Sequence, residues 1–186
     1  MPSAISEYTP QLTPGEGAAR RGRAAWQAWG LALVGAAGLV GLIVLAPLLR
    51  AGGAGAAAAA IYGGFGLLCH QMDARSFHVE GFQLAVCARC FGLYVGALVG
   101  VAAYPLARPL ARRDLPERAW LIAAAVPTSI DFALGFFGVW ENTHLSRFLT
   151  ASLLGVVLAF YIVPGLVDLS LTPWRRVFRP GLAREG

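Results

Sequence analysis

Lysine is absent from this chain, and all fifteen of its basic residues are arginine. Charge of either sign is scarce, since Asp, Glu, Lys and Arg together make up 13% of 186 residues, about half the soluble average. A water-soluble core of this length needs a charged shell that so few residues cannot furnish. Cysteine occurs only three times, too seldom for a disulfide-stapled secreted domain. Apolar residues, by contrast, make up 57% of the chain, which excludes a disordered one. With a mean hydropathy of +0.61, the bilayer has to act as solvent, and the chain reads as an all-α, polytopic helical membrane protein. The net charge of +5 does not point to nucleic acid, because the arginines bunch at the ends of apolar runs instead of forming one basic face.

Four runs are long enough to cross a hydrocarbon core of roughly 30 Å at about 1.5 Å per residue. They cover about residues 26–49, 84–106, 119–139 and 145–169 and together make a single transmembrane domain over 26–169. Residues 1–25, with Pro2, Pro10 and Pro14 and no apolar period, are expected to form a flexible cytoplasmic tail, and 170–186 a basic one. The first run is too long for the apolar part of a signal peptide and reads as a retained anchor in which Pro47 kinks or ends the helix. Residues 52–68 form an Ala/Gly run with six glycines, which inserts weakly. Arginine placement decides its fate. Three arginines precede the first span, four lie in 107–118 and four follow Trp174, and cytoplasmic segments carry such excesses. All three segments share one side only if 52–68 is a re-entrant or interfacial helix. The expected arrangement is therefore four spans in the cell inner (plasma) membrane, both termini cytoplasmic, with every Cys and His on the far side.

Cys69 and His70 close the Ala/Gly run, and Cys87-Ala88-Arg89-Cys90 opens the next span. Cys-x-x-Cys spacing lets two thiolates point at one metal ion or at each other, and Cys69 with His70 completes the four ligands zinc prefers. His78 or His144 is the alternative nitrogen ligand. In an oxidising compartment three cysteines make one disulfide and strand a thiol, whereas a metal uses all three. Two other accounts stand beside this one. Cys87 and Cys90 at a helix N-terminus, beside Arg89, have the setting of a redox pair in quinone-linked disulfide-forming membrane enzymes, and buried cysteines also serve as inert packing. No Cys-x-x-Cys-His occurs, so covalent haem attachment is not indicated.

Below the cysteines, Gly92, Gly96 and Gly100 form a small-residue ladder that lets another helix approach closely. Tyr94, one turn below Cys90, is assigned to a different face. Asp131 lies nine residues before Trp140, which places it near mid-bilayer, where a carboxylate has a partner or stays protonated. Folding a hairpin about residue 140 sets it level with 149, within reach of Arg147 and Thr150. These residues, with Tyr94, form an expected intramembrane polar pocket that is either a structural ion pair or a proton or ligand site. Glu141 and His144 sit at its mouth.

Cys69-His70-Gln71 with Arg75-Ser76-Phe77, then Cys87-Ala88-Arg89-Cys90-Phe91-Gly92-Leu93-Tyr94-Val95-Gly96, resembles the signature of DUF2085, a prokaryotic membrane family without an assigned activity. Pro127 with Asp131, and Glu141 followed by Arg147 and Thr150, fit its second half, so the resemblance covers about 60–160. Asp73 stands where the family usually has proline, Phe132 and Ala151 where it has glycine, and His144 where it has asparagine. The resemblance implies which residues matter and brings no reaction with it.

The resulting expectation is a metal site, with zinc as cofactor, above the Asp131 and Arg147 pocket, in contact with the lipid bilayer and with a membrane-protein partner or a second copy. A metal with an open position activates water, with Asp131 or Glu141 as base; a metal with four protein ligands is structural and suits an accessory subunit. The alternative class is a thiol oxidoreductase that passes electrons from Cys87 and Cys90 to a quinone.

Overall fold

The computed structural model describes residues 14–110, 112 and 114–171. The chain runs α1 (Pro14–Ala51), α2 (Gly55–Gly66), a 3-10 turn (Asp73–Arg75), a hairpin of β1 (His78–Val79) and β2 (Phe82–Gln83), then α3 (Ala88–Ala107), α4 (Arg118–Phe136) and α5 (His144–Leu171). Four helices are long and apolar enough to cross a membrane: Arg21–Ala51 within α1, then α3, α4 and α5. The expected all-α bundle of four spans is therefore what the chain forms. With 12 residues, α2 extends about 18 Å, short of the roughly 30 Å hydrocarbon core.

Several boundaries differ from expectation. Residues 14–25, expected as tail, are already helical, led by Pro14, whose fixed φ suits the first helical position. Residues 1–13, the C-terminal tail from 172 and its arginines lie outside the described residues. The third helix begins at Ala88 instead of near 84, because Leu84, Ala85 and Val86 are a non-helical, buried segment laid against α1. Their apolar character serves packing against protein, not against lipid.

Proline explains how α1 receives that segment. Pro47 lacks the N–H that the carbonyl of Ile43 would accept inside an unbroken helix, and the N–H of Ala85 takes that carbonyl at 3.4 Å. The same device recurs at the other end of the bundle. Pro105 leaves the carbonyl of Val101 without its helical donor, and Trp29 Nε1 donates to it at 2.7 Å. These two contacts fix α1 antiparallel to α3, with the C-terminal part of α1 at the cysteine end.

Packing is closest between α3 and α5. A methyl placed on Gly92, Gly96 or Gly100 would fall on the backbone of Phe148, Ser152 or Val156 respectively, and one on Gly155 would fall on the backbone of α3. Each four-residue step on α3 matches four on α5, so these helices are parallel and both begin at the cysteine end. Small residues permit this approach, where dispersion rather than hydrophobicity holds helices together. Tyr161 donates to the carbonyl of Glu117 at 2.7 Å, which sets α4 antiparallel to α5.

Candidate metal centre

Cys69 follows α2 directly, and its N–H donates to the carbonyl of Phe65 at 2.9 Å. The chain then turns at Gln71, whose φ of 49° is in the left-handed region. Gln71 also ties the loop together: its Nε2 donates to the carbonyls of Tyr62 at 2.7 Å and Ala85 at 2.8 Å. The hairpin turns at Glu80 and Gly81, both with positive φ, as a two-residue turn that matches strand twist requires. It returns the chain beneath α2, where the Tyr62 hydroxyl donates to the carbonyl of Gln83 at 2.5 Å. Cys87 then caps α3 and Cys90 lies in its first turn.

These elements bring three sulfurs together. The Sγ atoms of Cys69, Cys87 and Cys90 all lie within 4.8 Å of one another, and none is in a disulfide. A tetrahedral zinc with Zn–S bonds near 2.3 Å sets its sulfurs about 3.8 Å apart, so a small contraction suits the trio to a metal. The N–H of Cys87 donates to Cys69 Sγ at 3.3 Å. A hydrogen bond from the Cys90 thiol holds the Cys87 thiol well below the ordinary range, against the opposing effect of burial. Around the sulfurs pack Ile43, Ala46, Phe65 and Val86, together with Tyr94, whose ring meets that of Phe65 edge-on at 6.0 Å. Tyr94 thus shares the face of the cysteines: one helical turn separates it from Cys90, and four residues return to nearly the same direction.

The imidazoles are elsewhere. Among the described residues no His, Asp or Glu joins the three sulfurs. His70 is exposed, and His78 is exposed with its Nε2 2.9 Å from Asp73 Oδ1. The His144 ring lies against Phe77 at 5.6 Å with its Nε2 buried and without a hydrogen-bond partner among the described residues. Phe77, Phe91 and Phe148 form an aromatic wall beside it.

A second polar group occupies the opposite face of the first turn of α3. Arg89 Nη2 lies 2.5 Å from Asp131 Oδ2, and the Ser146 hydroxyl donates to Asp131 Oδ1 at 2.8 Å. Asn142 Nδ2 donates to the Asp131 carbonyl. The expected Asp131 and Arg147 pair is therefore corrected: Arg89 is the counter-ion. Because α4 ends at Phe136 and residues 137–143 make a broad turn, Asp131 lies five residues, about 7.5 Å, from the end of its helix, and not the nine residues that a turn at Trp140 implied. Arg147 instead lines a small cavity with Arg75 and Arg89. Thr150 donates to the carbonyl of Ser146 on its own helix at 2.8 Å and does not reach Asp131. Glu141 is exposed in the turn. With its oxygens held by Arg89 and Ser146, Asp131 is poorly placed to act as a free base.

The model of a family described as predicted membrane protein, DUF2085, matches residues 69–161, half of the chain. This chain belongs to the DUF2085 family. An uncharacterised protein of Methanocaldococcus jannaschii is 40% identical over 104 residues, 56% of this chain and 67% of that one. An uncharacterised protein of Methanothermobacter thermautotrophicus is 32% identical over 97 residues, 51% of this chain and 84% of that one. No solved structure matches.

The DUF2085 stretch begins at Cys69 and contains all three cysteines and the Arg89 to Asp131 pair, while α1 and α2 precede it. Sequence reasoning passed over Ser146 and Asn142, quoted Gln71 only within the family signature, and set Arg89 beside the thiols without pairing it to Asp131. A helical wheel carries the signal for Arg89, which projects roughly opposite the face that Cys87 and Cys90 share.

Proposed function

We propose that this DUF2085 protein is a membrane-embedded metal–thiolate protein in which Cys69, Cys87 and Cys90 hold one zinc ion. The observation that carries this reading is the mutual approach of all three sulfurs, each from a different point of a loop that Gln71 and the Ile43 carbonyl hold in place. A redox pair would need only two of them. Three protein thiolates leave the fourth position to an exogenous ligand, the pattern of zinc sites that react or exchange. Bound there, zinc would supply a Lewis-acid position. The chain itself orients the Cys69 sulfur through the Cys87 N–H and closes the apolar side with Phe65 and Tyr94. The arginine-rich 107–118 linker, at the opposite end of the bundle, supports an extracytoplasmic centre in the plasma membrane.

Cys87 and Cys90 favour one competing reading, since a thiol of lowered pKa beside a second thiol at a helix N-terminus is how thiol oxidoreductases are built. Metal analysis of the purified full chain, paired with thiol alkylation before and after chelation, decides between the two. Zinc at one per chain, with three thiols that react only after chelation, is expected. A metal-free protein with a Cys87 to Cys90 disulfide and one free thiol overturns the metal reading in favour of the oxidoreductase.

A further inference from the structure

A cavity beside the Arg89 to Asp131 pair is lined by Arg75, Arg89, Arg147, Asn142, Phe132 and Phe136, with the Arg89 guanidinium over the Phe132 ring at 5.3 Å from its centroid. Three guanidinium groups, those of Arg75, Arg89 and Arg147, thus line one small cavity. Among the described residues Asp131 is the one carboxylate paired with a guanidinium of this cavity, so the group carries more positive than negative charge. Arg89 spends Nη2 on Asp131, yet its Nε is buried with no hydrogen-bond partner among the described residues. The parallel α3 and α5 add their positive ends, since Arg89 and Arg147 both sit in first turns.

We propose that Arg75, Arg89 and Arg147 form a binding site for a phosphoryl group, presented by an anionic membrane lipid that enters past Phe132 and Phe136. A phosphomonoester carries about 1.5 to 2 negative charges at neutral pH, which matches the excess, whereas a carboxylate supplies one. At about 50 Å³ the cavity is well below the roughly 300 Å³ of a small-molecule pocket, so no more than the phosphoryl group itself would enter it. Phe132 and Phe136 stack on each other at 5.8 Å and are 52% and 71% exposed on a membrane-spanning helix, so the wall they form also faces lipid. Asp131, about 7.5 Å from the end of α4, keeps the site near that end of the helix and away from its middle. This site does not depend on any metal at the cysteines.

The test uses the full chain in phosphatidylcholine nanodiscs with and without phosphatidate, read by thermal unfolding and by native mass spectrometry of retained lipid. Phosphatidate is expected to raise the Tm and to remain bound, while added phosphatidylcholine does neither. Arg75→Gln and Arg147→Gln leave the Arg89 to Asp131 pair intact and should each weaken phosphatidate binding by about tenfold, the loss of one charge-assisted contact. Their Tm in pure phosphatidylcholine should match wild type. Competition by inorganic phosphate at equal affinity would assign the phosphoryl site to a soluble ligand instead of a lipid. Absence of both phosphatidate retention and phosphate competition in the wild-type protein overturns the proposal, as do variants that bind phosphatidate as wild type does.

Discussion

The backbone N–H of Cys87 donates to the sulfur of Cys69 across a gap of 3.3 Å and eighteen residues of sequence. That contact locates the Cys69 sulfur against the start of α3, where Cys87 and Cys90 lie. The three cysteines should therefore act as a unit. Cys69→Ser, Cys87→Ser and Cys90→Ser are each expected to remove most of the bound zinc and to abolish the rise in Tm that zinc gives the chelated protein. Stoichiometric zinc retained by the Cys87→Ser, Cys90→Ser double variant would disprove the shared site.

In the metal-free, reduced protein Cys87 should alkylate at lower pH than a cysteine of the unfolded chain, because the Cys90 thiol donates to it. A folded pKa below the unfolded one contributes stability above the unfolded value, and that contribution is lost as pH falls through the folded value. Peptide mapping of iodoacetamide adducts against pH reads this directly. Identical profiles for native and unfolded chain would show that the thiol is not held down.

Arg89 and Asp131 supply the third expectation. Removing either partner strands a charge that is largely sheltered, so Arg89→Gln and Asp131→Asn should each cost about 3 kcal/mol. The double variant should recover part of that loss, with a coupling of about 1 kcal/mol or more. Arg147→Gln combined with Asp131→Asn should show no coupling, the double variant losing only what Asp131→Asn loses alone. Coupling seen for Arg147 and not for Arg89 in detergent thermal melts would reverse the assignment.

Gly96→Ala forces the backbones of α3 and α5 apart, because the added methyl meets the Ser152 backbone. A loss of about 1 to 3 kcal/mol is expected. Gly38→Ala on α1, where nothing lies within 4 Å, is the matched control and should be near neutral. Equal melting behaviour of the two variants would rule out a tight α3 to α5 seam.

Trp29→Phe keeps the ring packing and takes away the donor to the Val101 carbonyl, at a cost of about 1 to 3 kcal/mol. Pro105→Ala returns an N–H to that carbonyl within α3. The pair of changes should be milder than the tryptophan change alone, and chemical denaturation of the four proteins checks it.

Elements set by one-dimensional patterns were legible in the sequence. Four apolar runs marked the spans, glycines at every fourth position marked the closest seam, and cysteine spacing drew attention to Cys69, Cys87 and Cys90. What depended on turn geometry was not legible. The hairpin between α4 and α5 was folded symmetrically about residue 140, but α4 ends at Phe136, and that shift replaced Arg147 with Arg89 as the partner of Asp131. Leu84 to Val86 read as membrane helix because burial in protein and burial in lipid select the same residues. His70 follows Cys69 in sequence, yet the chain turns away at once, and adjacency did not become proximity.

The seam between α3 and α5 also has a consequence in time. The last residue of α5 follows that of α3 by 64 positions, so at ribosomal speeds the glycine face of α3 stays unmatched for on the order of several seconds. Meanwhile α4, made in between, already carries Asp131 for Arg89, and can be tethered to α3 before its true packing neighbour emerges. The aromatic wall beside His144 draws Phe148 from α5, so it is completed only after that last helix inserts. A chain cut short before α5 has every cysteine and still lacks a finished pocket.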